Sequence, residues 1–172
     1  MCERYKPQIA AVQECQLRGH KVINLNGFFG ITKSAIEDNS TGRVSIYIKT
    51  NLVCLVKLNQ RLICRLSLSV SAKKTLTVCN VYLPPSQDVN LSDLEHLVPQ
   101  LPAPFVLTGD FNVHSPLWDD IRHVSRSQML EKSYHNLCLL NACEPTCRHP
   151  SHHPFSVPDI SVCDPPLPLE ID

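Results

Sequence analysis

No stretch of this 172-residue sequence carries a strong excess of one charge: 16 Lys and Arg balance 16 Asp and Glu, and the formal net charge is zero. A whole-surface grip on nucleic acid through counterion release is thereby excluded, so any contact with a polyanion must be local. Long apolar runs are missing too, and none approaches the ~20 residues of a membrane-spanning helix. The opening MCERYKPQ is charged from its third residue and lacks the apolar stretch of a secretory signal. The expectation is a soluble, intracellular protein without a membrane partner. Nine cysteines are present, but there is no Cys-x-x-Cys pair. The odd count, and the placement of Cys54, Cys64, Cys79 and Cys138 in apolar runs, indicate reduced core thiols rather than a disulfide framework.

The 43% hydrophobic content is enough to fill the core of one domain spanning 1–172. PQIAAVQECQL (7–17) looks like a buried strand that delivers a polar tip, and HKVINLNGFFG (20–30) is a weaker strand candidate. RVSIYIKTNLVCLVKL (43–58), RLICRLSLSV (61–70) and TLTVCNVYLPP (75–85) are β-branched and partly alternating, with turn-like breaks at NQ and SAKK. They read as three consecutive antiparallel neighbours. LSDLEHLVPQL (91–101) has the Ser92 to Glu95 spacing of a capping box and apolar residues at helical intervals, with Pro99 weakening its last turn. A strand, PFVLTGD, follows. A second helix is expected over 125–140, where Leu130, Tyr134 and Leu137 share a face. Half of the 14 prolines fall between Pro145 and Pro168; only SVPDISVC (156–163) is strand-like there, and 164–172 reads as an irregular tail. Strands outnumber helices and no internal repeat is present, so the pattern favours an α/β sandwich over a doubly wound sheet.

Polar residues gather at or near the ends of these apolar strands. In PFVLTGDFNVHSPLWDD (104–120), strand alternation would turn Asp110 and Asn112 to one side and Phe111 to the other. An ionised Asp can orient and deprotonate a water, and an Asn amide can hold that Asp or donate to a phosphate oxygen. The other reading is a polar turn closed by side-chain to backbone bonds. Glu14 ends the first strand, where a hard carboxylate suits Mg²⁺, although taken alone a solvated charge is its simpler reading. Asn80 and Tyr82 share a face at a third strand end; the phenol could bond a phosphate oxygen or pack at an edge. Asp159 lies within an apolar segment, where a carboxylate must be paired or be costly.

These residues occur in VQE, NVYLPP, LTGDFNVHSPLWD, LLNACEPT and VPDISVC, and together the blocks resemble the endonuclease domain of jockey- and R1-type non-LTR retrotransposons. That domain is similar to apurinic/apyrimidinic endonucleases of the endonuclease/exonuclease/phosphatase superfamily, and the resemblance runs from about Ile9 to Cys163. It implies a DNase I-like, four-layered α/β sandwich of two mostly antiparallel sheets flanked by helices. It also implies a Mg²⁺-dependent nick, with Mn²⁺ as an alternative metal, in one strand of a target-site DNA duplex. The exposed 3′-hydroxyl would prime the reverse transcriptase domain of the parent polyprotein, so the site of action would be the nucleus after cytoplasmic synthesis. No obligate protein partner is implied. By the resemblance, Glu14 matches the metal ligand, Tyr82 a phosphate contact, Asp110 the water-orienting aspartate, Asn112 its neighbouring amide, and Asp159 the support of a catalytic histidine. His114 and Trp118 match positions common in the subgroup, read here as a loop-ordering residue and a core anchor. Asn80 is a supporting candidate.

Departures from the pattern set further expectations. The family pattern has an earlier strand ending in Asn and a final Ser-Asp-His strand, and neither has a counterpart in this sequence. The resemblance is thus to a domain incomplete at both ends, lacking the final Asp and the catalytic His, and its catalytic competence is an open question. Gly42 and Arg43 stand where the family has a Gly-Gly pair. A catalytically dead remnant and a small-substrate phosphodiesterase or phosphatase of the same superfamily are the alternatives, with HSPLWD favouring the retroelement subgroup. A zinc module built on His135, Cys138, Cys143, Cys147, His149, His152 and His153 is a different class of reading, weakened by the missing Cys-x-x-Cys.

Overall fold

The computed structural model describes residues 6–13, 23–34, 43–52, 54–57, 63–71, 74–83, 95–113, 125–141, 147–148, 155–156 and 158–165. The chain divides into two compact units, Met1–Tyr82 and Leu83–Asp172.

In the first unit, β1 (Ile9–Val12), β2 (Phe28–Ser34) and β3 (Arg43–Lys49) form an antiparallel sheet in the order β1-β3-β2. β4 (Cys54–Lys57), β5 (Ile63–Ser71) and β6 (Lys74–Tyr82) form a second antiparallel run. Alternation explains how they join. Val44, Ile46 and Ile48 from one face of β3 pack with Val78 and Tyr82 of β6, and Ile9, Ile31, Leu52 and Leu76 close the cluster. Central strand β3 is buried along residues 44–48 on both faces, and its Tyr47 ring lies over Gly30. A Cβ at Gly30 would stand 2.6 Å from the ring.

Two strand boundaries differ from expectation. The weaker candidate over 20–30 becomes β2 at Phe28–Ser34, because Asn26-Gly27 is a turn with Gly27 at φ 79°, a conformation glycine adopts without a Cβ clash. The long segment 43–58 is two strands, β3 and β4, that enter different ladders, separated by a turn at 50–51. Its apolar character is continuous across both strands, which strand periodicity alone does not divide.

In the second unit, β7 (Phe105–Asp110), β8 (Cys138–Leu139) and β11 (Asp159–Cys163) are antiparallel in the order β7-β11-β8, and β9 (Cys147–Arg148) pairs with β10 (Phe155–Ser156). Residues 95–97 are helical and tighten into a 3₁₀ turn at Val98–Gln100 containing Pro99, so the expected helix changes character at its proline. Helix α1 (Ser125–Tyr134) is shorter than the expected 125–140. Leu137 N–H closes a turn onto the Tyr134 carbonyl, and Cys138–Leu139 extend into β8 instead. Tyr134 meets Phe111 edge-on, with ring centroids 6.2 Å apart, which ties α1 to the segment after β7. Among the described residues, no helix is long and apolar enough to cross a membrane.

Candidate active site

β7 alternates strictly, with Phe105, Leu107 and Gly109 buried and Val106, Thr108 and Asp110 half-buried. β11 matches it: Ile160 and Val162 are buried, while Asp159 and Ser161 are half-buried. In the register, Asp110 stands opposite Asp159 and Thr108 opposite Ser161. The Thr108 and Ser161 hydroxyls bond each other at 2.7 Å, so these side chains leave the sheet on a common face. The ladder's hydrogen bonds identify the type of pair. Phe111 N–H donates to the Pro158 carbonyl and Asp164 N–H to that of Phe105. Antiparallel ladders alternate, so Asp110–Asp159 falls at a non-hydrogen-bonded position, where opposed Cα atoms are about 4.5 Å apart and side chains come closest. Two carboxylates placed this way disfavour the fold unless a cation or a hydrogen-bond donor intervenes. As hard oxygen donors they suit a cation such as Mg²⁺, which takes one or two carboxylates and keeps much of its water.

One donor is built in. The strand ends at Asp110, and Asn112 turns to φ 48°, a left-handed conformation that Asn tolerates. Its backbone N–H donates to Asp110 Oδ1 at 2.9 Å, and its Nδ2 to the Leu83 carbonyl at 3.1 Å. The strand expected to reach Asn112 therefore ends two residues earlier, at Asp110. The side-chain to backbone bonds of a polar turn are present, and they orient the Asp110 carboxylate. Phe111 and Val113 are fully buried and anchor both sides of this turn.

Asn80 is placed differently. It occupies the core-facing row of β6 with Val78 and Tyr82, and is fully buried. Its Nδ2 donates to the Val12 and Ser45 carbonyls at 3.2 and 3.0 Å, and its Oδ1 accepts from Gln13 Nε2. The amide thus clamps β6 to the end of β1 and to β3. Tyr82 is buried in the same row. Glu14, His114 and Trp118 lie outside the described residues.

Two residues missed by the sequence reading hold β11. Asn141 Nδ2 donates to the Asp159 carbonyl at 2.8 Å, while its Oδ1 accepts from Ser161 N–H at 2.7 Å. Buried Asp164, at the start of the expected irregular tail, accepts from Phe105 N–H at 2.6 Å. Asn141 belonged to a recognisable block, LLNACEPT, but its role depends on a strand distant in sequence.

Cys79, Cys138 and Cys163 are free thiols. Cys163 faces Cys138 across the ladder, and burial first, then Cys138 and Asp164, push its thiol pKa up. Among the described residues no group of three or more His, Cys, Asp and Glu comes together to hold a metal. A cavity of about 230 Å³ is lined by Leu130, Tyr134, Leu137, Leu139, Ile160 and Val162, with Glu131 and His135 also contributing. Ile160 and Val162 alternate with Asp159, so the cavity lies on the opposite face of β11 from the carboxylate pair.

Comparisons with known proteins bear on the family and the fold. The sequence profile of a family described as endonuclease-reverse transcriptase matches residues 76–170, which include both aspartates. The RNA-directed DNA polymerase from mobile element jockey of Drosophila melanogaster is 28% identical over 151 residues, covering 84% of this chain. The chain spans 16% of that protein's length. The solved endonuclease domain of TRAS1, a telomere-specific non-LTR retrotransposon, superposes with a TM-score of 0.82 over 99% of this chain and 79% of that one, at 21% identity. The shared fold is a mixed α/β one with two β-sheets and helices.

Proposed function

The chain belongs to the endonuclease-reverse transcriptase family, as an endonuclease domain of the jockey/R1 type within the endonuclease/exonuclease/phosphatase superfamily, and on that premise we propose that it nicks one strand of duplex DNA. The observation that carries the reading is the register pair Asp110–Asp159, with Asp110 oriented by the Asn112 N–H. Asp110 acts as the general base. It takes a proton from a water whose oxygen forms the new bond to phosphorus, the P–O3′ bond breaks with the phosphate kept on the 5′ side, and O3′ takes a proton from solvent to leave as a 3′-hydroxyl. Asp159 stands opposite Asp110 and would support a proton-donating or cationic group at the same strand end.

The carboxylate pair fits a hard divalent cation, Mg²⁺ or Mn²⁺, which when bound would neutralise charge developing on the phosphate. Glu14 carries the metal-ligand assignment and Tyr82 the phosphate-contact assignment by resemblance. The four-layered sandwich is the finer reading of the fold, supported in the first unit by two ladders that share one apolar core. A nuclear target duplex and a reverse transcriptase partner belong to the same proposal.

Supercoiled plasmid incubated with purified chain and Mg²⁺ tests it. Relaxed circles should form, EDTA should stop their formation, and Asp110→Ala should slow it by about 10²- to 10⁴-fold. A folded chain that leaves the plasmid supercoiled, or an Asp110→Ala variant that nicks normally, would refute the reading.

A further inference from the structure

Asn141 is a strongly placed polar side chain near the carboxylate pair that the proposed chemistry leaves without a role. β8 ends at Leu139, and Leu140 N–H makes a backbone bond to the Ser161 carbonyl. Beyond that point the Asn141 side chain continues the pairing. Its amide offers one donor and one acceptor at the spacing of a peptide group, and it uses them on the Asp159 carbonyl at 2.8 Å and the Ser161 N–H at 2.7 Å. On the other edge of β11, Pro158 accepts from Phe111 N–H. The first residue of β11 is thus held between backbone bonds to the β7 side and a side-chain bond on the β8 side.

Such anchoring matters more at Asp159 than at an ordinary strand end. Opposed carboxylates repel, and repulsion would be relieved if the first residue of β11 frayed away from β7. A bond to the Asp159 carbonyl resists that movement without touching the carboxylate. We infer that Asn141 is a positioning residue for the nicking reaction, acting through the backbone of Asp159 to keep its carboxylate opposite Asp110.

This inference rests on the proposed endonuclease reading, and its test separates the two. Nicking rates are measured as a double-mutant cycle for wild type, Asn141→Ala, Asp159→Ala and the double variant, with Asp110→Ala as control. Asn141→Ala should lower kcat by about 10- to 100-fold while changing KM for plasmid little, as displacement of a catalytic group does. In the Asp159→Ala background the same change should cost less than about threefold, because residues acting through one another are not additive. Should Asn141→Ala fail to fold, Asn141→Asp replaces it in the cycle: it keeps the acceptor for Ser161 N–H and loses the donor to Asp159. Equal losses in both backgrounds, or a loss confined to KM, would overturn the positioning role. If those losses are additive while Asp110→Ala is dead, only this inference fails. If the wild type does not nick, or Asp110→Ala nicks normally, the endonuclease reading fails and takes the inference with it.

Discussion

Asn80 in the first unit and Asp110 with Asp159 in the second are polar residues at similar places, near the ends of apolar strands, yet they are handled in opposite ways. The Asn80 amide is fully buried and engages Val12, Gln13 and Ser45 on two other strands. Every bond it makes serves the fold. Asp110 and Asp159 are half-buried and set side by side at a ladder position where like charges disfavour folding. A buried polar group whose partners are all internal is structural. Two opposed carboxylates, one bonded by the Asn112 N–H and the other held at its backbone by Asn141, are the arrangement that the proposed site would use.

The sharpest way to break that comparison is Asp159→Asn. Nicking should fall by about 10²-fold or more, while stability to urea should hold or rise by up to about 1 kcal/mol, because one of two opposed charges is gone. A variant that stays active and loses stability would place Asp159 with Asn80 among the structural residues. Asn80→Ala is the counterpart. It removes the side-chain donor to the Val12 and Ser45 carbonyls and the acceptor of the Gln13 amide, and should cost about 1–3 kcal/mol of unfolding free energy; a urea midpoint within error of wild type would count against the clamp. Gly30→Ala tests packing in the same unit, since the new Cβ would meet the Tyr47 ring at 2.6 Å. A loss of about 1–3 kcal/mol is expected, and thermal unfolding of the variant checks it.

The smallest effect concerns a thiol farther along β11. Cys163 has its pKa raised in the folded chain, by burial, Cys138 and Asp164 in that order. The folded state therefore holds the proton more tightly than the unfolded one. The stability this contributes is complete below the unfolded thiol value of about 8.5 and is lost as pH rises through the folded value. Denaturation followed across that alkaline window should show a decline that Cys163→Ala makes shallower; parallel curves for the two chains would exclude Cys163 as its source.

How far these features were legible follows from their range along the chain. The strands now seen as β1, β5, β6, β7 and β11 were recognisable from local alternation and β-branched content. The division of 43–58 was not, because β3 and β4 are both apolar and part only when each finds its own ladder. The end of α1 at Tyr134 was hidden for a similar reason: Cys138 and Leu139 continue an apolar helical pattern, and pairing with Val162 and Cys163 overrides it. Asp110 stood out through its block, but the polar turn and the oriented carboxylate turned out to be one arrangement, since the Asn112 N–H that closes the turn also fixes the acid.

By itself the sequence determined which residues are candidates for chemistry, because carboxylates and amides beside apolar strands are visible as composition and the blocks around Asp110 and Asp159 resemble those of one family. Only the tertiary structure decided which of them are brought together. Asp110 and Asp159 lie 49 positions apart and meet through register, and Asn80 and Asn141 acquire their roles from backbone groups on strands that periodicity does not name. Hydrogen bonds and cross-strand pairs depend on distances of a few ångströms, and a chain sets those distances only when it folds.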